Sequence, residues 1–399
     1  MSRVPAIAPR NERSGGTGVP PARILSYSSG TGVPPVRVLA ACLAALIALA
    51  GCARTPPRPA ASPAIVSTKT DIDAWEFDGT PGIVLRTAHH RLFTTEADPQ
   101  LLEQLPTFLE AVVDHYVTAL GPLPRPALRL DTFLLRDRTQ WERLTRQVMG
   151  DEAHVYLRIQ RGGFSSGGRA ILWTIGRRDT LAILAHEGWH QYAQRTFRDA
   201  LPGWADEGVA TYMEGFVPTV AGAAPIMAPW ANPERFDQLR SAFESGSLIP
   251  LQRLITVAPR ELIAAGGNEA LTYYGQVWAL IHFLREGGNG MAGEHRQQLM
   301  NLVADTAAGR MRRYVEARAA RRIPAATPTD RLGAEVFRAY FGPDLAAADR
   351  EFRVFVASIA TDAGRAAILM GRSPLDQSAA GLVGSAALVS STGEGRTPK

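Results

Sequence analysis

The chain has 399 residues, 46% of them hydrophobic and 20% charged, enough apolar material for one large or two modest domains. Its formal charge of +5 is concentrated at the start: seven basic residues and one acidic residue precede position 66, leaving 36 basic against 37 acidic residues beyond it. Nucleic-acid binding needs a basic domain or stripe, and a near-neutral remainder offers neither, so that class of partner is excluded.

Residues 1–36 are rich in Gly, Pro and Ser, and residues 16–25 are nearly repeated at 30–39. Such a segment cannot build a core, and a translation start near Val33 to Val38 is expected. Arg37 then precedes an apolar run that ends in Leu49, Ala50, Gly51 and Cys52. A short positive flank, a brief apolar stretch and small residues describe a secretory leader over 1–52 rather than a spanning helix. Its ending resembles the bacterial lipobox, which implies cleavage before Cys52 and a lipid on that residue. The expected location is the cell envelope of a bacterium, with the chain, as a monomer, held at the membrane through Cys52. The only other cysteine, Cys42, lies inside the leader, so the mature chain has no thiolate or disulfide to offer.

A Pro- and Ala-rich tether over 53–69 leads to an α+β lobe over 70–232. One or two strands are predicted across 83–95, and an amphipathic helix over 98–119 from the spacing of Leu101, Leu105, Phe108, Leu109, Val112 and Tyr116. A strand at 127–135 and a helix at 139–148 follow. The Gly-rich loop 162–168 lacks the Gly-Lys-Ser/Thr ending of a phosphate cradle. It leads into a strand at 169–175, and the two together offer an edge on which an extended peptide could lie. Asp179 or Thr180 can cap the next helix, which runs to Thr196. Pro202 and Gly203 break the chain before a return helix over 205–215. Strands and helices mix without regular alternation, hence the α+β class. Beyond 232 the pattern is helical, at 234–246, 269–286, 294–307, 309–321 and 344–361, giving a helical C-terminal lobe over 233–362. A mostly disordered tail over 363–399, Ser-, Gly- and Ala-rich from about 372, ends the chain.

The helix before Thr196 carries His186, Glu187, Gly188, Trp189 and His190, an HExxH run. Two His four residues apart project from one helix face, so two imidazole nitrogens can reach one ion. Glu187 lies round the helix toward the open coordination position, where it can take a proton from water and return it to a leaving amine. Glu207, on the return helix, is the third-ligand candidate. Asp206 points about 100° away from it on a helix and is better read as a cap or as a group orienting a ligand. Glu214, two turns further on, is the lesser alternative. Gly188 costs a helix up to about 1 kcal/mol relative to Ala, a cost that a close helix approach would explain. Adjacent His89 and His90 sit in a predicted strand, where one must face away. His115, His154 and His295 have no partner at ligand spacing.

The HExxH run followed by Leu-Pro-x-Trp-x-x-Glu-Gly-x-Ala-x-Tyr over 201–212 resembles the gluzincin clan of zinc metallopeptidases, and within it an uncharacterised bacterial family of secreted domains of unknown function. The resemblance covers 180–215 closely and 85–285 more loosely. It implies a zincin-like fold, one Zn2+ held by His186, His190 and Glu207, and Glu187 as general base. Residues 272–284 resemble the Tyr-x-Gln helix of such proteins, which implies an oxyanion-stabilising phenol, Tyr274 first and Tyr273 second. His282 on the same helix reads as structural. The Gly-x-Met-Glu-Asn segment by which aminopeptidases of the clan hold a free amine is absent, and Thr211 stands four after Glu207, where some gluzincins place an acid that orients a ligand His. The expected function is a lipid-anchored zinc endopeptidase acting on a peptide or protein substrate. The rival is a non-catalytic envelope protein that keeps the fold as a binding or assembly module.

Overall fold

The computed structural model of the protein describes residues 68–219, 223–259, 261–262, 267–287 and 292–376. The leader, Cys52, nearly all of the tether and the end of the tail lie outside these residues. A six-stranded sheet is built from β1 (Asp71–Phe77), β2 (Thr80–Arg86), β3 (His90–Thr94), β4 (Leu130–Leu135), β5 (Gly163–Ser166) and β6 (Arg169–Trp173), in the order β1-β2-β3-β4-β6-β5. β3, β4 and β6 are mutually parallel, while β1, β2 and β5 join antiparallel, so the sheet is mixed.

Both faces of the sheet are covered, because its strands alternate between two sets of apolar side chains. Val84, Phe93, Phe133, Leu135, Ile171 and Trp173 meet Trp141 and Leu144 of α2 (Arg138–Met149). Leu85, Leu92, Leu130, Leu134, Ala170 and Leu172 face the main core, which takes in α1 (Pro99–Thr118) and α4 (Arg177–Thr196). A short helix, α3 (Ala153–Tyr156), precedes β5. After α4 come α5 (Gly203–Met213), the small hairpin β7 (Phe216–Val217) and β8 (Ile226–Met227), then α6 (Pro233–Glu244), α7 (Leu251–Leu254) and α8 (Asn268–Glu286). The α-helices that follow among the described residues are α9 (Ala292–Ala307), α10 (Met311–Ala319), α11 (Gly333–Phe341), α12 (Leu345–Ile359) and α13 (Asp362–Leu369). The architecture is α+β, with helices dominant after β8. One apolar core runs from Leu85 in the sheet to Ile368 in α13, so the sheet and the C-terminal helices are packed as one body. Among the described residues no helix is long and apolar enough to cross a membrane.

Several local expectations need correction. The Gly-rich segment is a strand and turn rather than a loop: Phe164 drives β5 into the apolar layer under α2, and Gly167 and Gly168, with φ of 58° and 72°, make the tight turn into β6. Helix α4 begins at Arg177 without a side-chain cap; Thr180 Oγ1 instead accepts from the Ile175 N–H at 3.0 Å, and Asp179 is engaged by Arg161. Helix also extends past 362 into the expected tail, because Thr361 caps α13 and its Ala367 and Ile368 are fully buried.

α4 is held in register on the sheet by one buried amide. Gln191 Nε2 donates to Asp131 O at 2.6 Å and Gly168 O at 3.2 Å, and its Oε1 accepts from Thr132 Oγ1 at 3.1 Å. α1 crosses α4 at Gly188. The Tyr116 hydroxyl donates to Ala185 O at 2.5 Å, and a Cβ on Gly188 would stand 2.5 Å from the Tyr116 hydroxyl oxygen. Tyr116 cannot swing aside, since its ring is fully buried between Trp189 and Tyr192. The glycine inside the HExxH run is therefore a seat for α1. Gly188→Ala is expected to lower stability in denaturant unfolding, because overpacking of about 1–3 kcal/mol outweighs a helix-propensity gain of about 1 kcal/mol. In a Tyr116→Phe background the nearest ring carbon would lie 3.5 Å away, an ordinary contact, and the penalty should vanish.

Candidate metal centre

α4 supplies His186, Glu187 and His190, and α5 brings Glu207 against them. His186 Nε2 and His190 Nε2 are 3.3 Å apart, and Glu207 Oε2 lies 3.3 Å from the first and 3.5 Å from the second. The three atoms form a nearly equilateral triangle. Ligands at about 2.0–2.1 Å from a tetrahedral ion stand about 3.3–3.4 Å from one another, so the triangle has the dimensions of one face of such a tetrahedron. These three residues could hold a metal ion, and they are the only such group among the described residues.

The outward nitrogens of the rings fix how they present themselves. His186 Nδ1 donates to Glu214 Oε1 at 2.8 Å, and His190 Nδ1 donates to Asp206 Oδ2 at 3.0 Å. With Nδ1–H committed to carboxylates, the Nε2 lone pairs of the neutral rings turn to the common point. Glu207 Oε2 is buried there with no hydrogen-bond donor. Three electron-rich atoms facing one buried point require a positive charge, and without a metal protons provide it. Burial opposes charge on His186, but Glu207 and Glu214 outweigh it and raise its pKa to about 9. His190 is likewise raised well above its ordinary value against the cost of burial, by Asp206 and Glu207. Burial works against ionised Glu207 too, yet the two His hold it well below the usual carboxylate range.

Asp206 thus takes an orienting role, and its other oxygen accepts from Trp189 Nε1 at 3.0 Å. Glu214 is not a ligand: it orients His186. It is itself gripped by Arg235 of α6, whose Nε donates to Oε2 at 3.0 Å and whose Nη2 donates to Oε1 at 2.8 Å, while Asn232 Nδ2 donates to Oε2 at 2.7 Å. Arg235 and Asn232 carried no signal in the sequence, because α6 meets α5 only in the folded chain. Glu214 did carry one: seven residues after Glu207, two helical turns, keeps it on the same face.

Glu187 is buried beside the triad and lines a cavity of about 350 Å³ that also reaches His186, Glu214, Arg235 and Tyr274. Burial pushes its carboxyl up from the ordinary range, against the pull of the two His. Tyr274 lines the cavity, its ring 6.2 Å from that of His186 and under the Arg235 guanidinium at 5.1 Å. Burial, with Glu207 adding to it, keeps its phenol protonated and able to donate. Tyr273 is fully buried and lies outside the cavity lining.

The other His are not brought to this point. His89 precedes β3, so strand alternation does not separate it from His90; both turn to Glu110, at 2.6 Å and 3.8 Å. His282 is enclosed by Trp230, Trp278 and Tyr212, and burial lowers its pKa.

Metal affinity should rise with pH. A protonated ring cannot ligate, and both His186 and His190 are raised, so each proton displaced between pH 6 and 9 should strengthen binding by up to about tenfold per pH unit, up to about a hundredfold for the two together, read by competition with a chelator. Glu214→Gln, which weakens the acceptor for His186 Nδ1, should cost about 10- to 100-fold in metal affinity at pH 7. In comparisons with known proteins, no family model, no curated protein and no solved structure matches the chain.

Proposed function

We propose that the protein is a zinc-dependent metallohydrolase of the gluzincin type, acting as an endopeptidase, and that the lipobox-like ending at Cys52 anchors it in the bacterial cell envelope. The observation that carries the reading is the triangle of His186 Nε2, His190 Nε2 and Glu207 Oε2, with edges of 3.3–3.5 Å and a buried carboxylate beside it. Two imidazoles and one carboxylate favour zinc and leave a fourth position open. Zinc bound there would act as a Lewis acid, acidifying water and polarising a carbonyl oxygen.

The residues supply the rest. Glu187 takes a proton from the attacking water and later returns it to the leaving nitrogen, a role that its raised pKa suits. Tyr274 donates its phenolic proton toward the developing oxyanion. Asp206 and Glu214 hold the two rings so that only Nε2 faces inward. The scissile bond is presented along the outer strand β5, whose outer edge has no strand partner among the described residues and can pair with an extended chain. That strand is tied to the site, since Ser165 Oγ donates to Glu187 O at 2.7 Å.

Glu187→Gln tests the assignment of chemistry. The variant is expected to keep zinc at one ion per chain, measured by elemental analysis, while peptide cleavage falls by about 10²- to 10⁴-fold. Cleavage that survives the substitution would refute Glu187 as base. Zinc absent from the folded wild-type chain would refute the reading as a whole.

A further inference from the structure

The cavity extends from the triad along α4, and its floor is one face of that helix, paved at one-turn spacing. His186 and Glu187 form the first step, Ala182 and Ile183 the second, and Arg178 and Asp179 the third. The second step is apolar. In the third, Asp179 is neutralised by Arg161, which also reaches Glu234 at 3.8 Å. Arg235, also in the lining, is committed to Glu214.

Arg178 differs from both of those arginines. It has no carboxylate partner among the described residues; one Nη2 bond to Ala231 O at 3.0 Å and the face of Phe216, 5.4 Å from its Cζ, hold it in place. It also lines a second cavity, of about 210 Å³, whose wall shares Phe216. A guanidinium laid on a ring with one nitrogen tethered is preorganised, and its other donors stay open at the junction of the two cavities.

We propose that Arg178 is a specificity-determining residue that binds a carboxylate of the substrate peptide. Eight residues separate it from His186, about 12 Å along the helix axis at about 1.5 Å per residue. An extended peptide covers that span in three to four residues at about 3.3 Å each. The site therefore takes a peptide with an apolar side chain over Ala182 and Ile183 and a carboxylate three to four residues from the bond that reacts. That carboxylate is an acidic side chain or the chain's own C-terminus. The inference rests on the metallohydrolase reading for the identity of that bond.

The experiment uses the full-length, zinc-loaded protein and two series of peptides. In one, Asp is walked through an amidated peptide; in the other, a free C-terminus is moved by truncation. A carboxylate at the third or fourth residue should raise kcat/KM about tenfold, as a charge-assisted hydrogen bond allows. The preference should disappear in Arg178→Gln and invert toward Lys in Arg178→Glu, which loss of a purely structural arginine would not do. Whichever series shows the gain identifies the source of the carboxylate. An unchanged preference in Arg178→Gln, or no preference in the wild type, overturns the anchor while leaving hydrolysis standing. Binding of the same peptides to Glu187→Gln, followed by tryptophan fluorescence, separates the two claims. Carboxylate-dependent binding without wild-type cleavage supports the anchor and sinks the hydrolase, and no binding at all overturns the anchor.

Discussion

Three lone-pair-bearing atoms, His186 Nε2, His190 Nε2 and Glu207 Oε2, are held within 3.5 Å of one another in a buried place. Left alone, such a cluster is electrostatically unfavourable, and it persists only where a positive charge occupies its centre and the surrounding structure prevents the groups from turning away. Much of the molecule serves that second condition. Asp206 and Glu214 hold the two rings from behind, and Arg235 and Asn232 hold Glu214 in turn. Each link in this chain is a charge-assisted or buried hydrogen bond, stronger and more directional than a contact at the surface.

The scaffold brings α4 and α5 to fixed positions. Gln191 locks α4 to the backbone of the sheet one residue from His190. α5 is set by its contact with α8, where Gly208 lets the helices close: a Cβ there would stand 2.8 Å from Ile281 and 3.0 Å from the Val277 carbonyl oxygen. Gly188 does the same for α1 on the other side of α4. Two glycines that weaken their own helices thus permit the close packing that places His186, His190 and Glu207. The helices after β8 are part of this support, because α6 brings Arg235 and α8 brings Tyr274 to the cavity.

The sequence was most legible where chemistry imposes spacing. The i, i+4 His pair, the adjacent Glu and the Glu on a return helix place three donor atoms and a carboxylate in one locality by spacing alone. Element positions also followed from apolar periodicity, with α1, α4, α8, α9 and α12 lying within a few residues of their expected bounds. The Gly-rich segment misled because glycine reads as loop, whereas Phe164 anchors it as a strand whose tight turn needs two positive-φ glycines. The expected tail misled because α13 is short and small-residue-rich; its order comes from burial of Ala367 and Ile368, a tertiary effect. The separation into two lobes was a reading of helix content, which cannot show that one apolar core crosses position 232. Arg235 and Asn232 escaped for the same reason: their role exists only once α6 has docked.

The central claim is that these three side chains, and no others, form the inner coordination of one zinc ion. X-ray absorption at the zinc edge, on the zinc-loaded full-length protein, tests it most directly. The expected spectrum has two imidazole nitrogens and carboxylate oxygen among light-atom ligands at about 2.0–2.1 Å, with one imidazole lost in His190→Ala. A shell with fewer than two imidazoles, or one unchanged in His190→Ala, would contradict it.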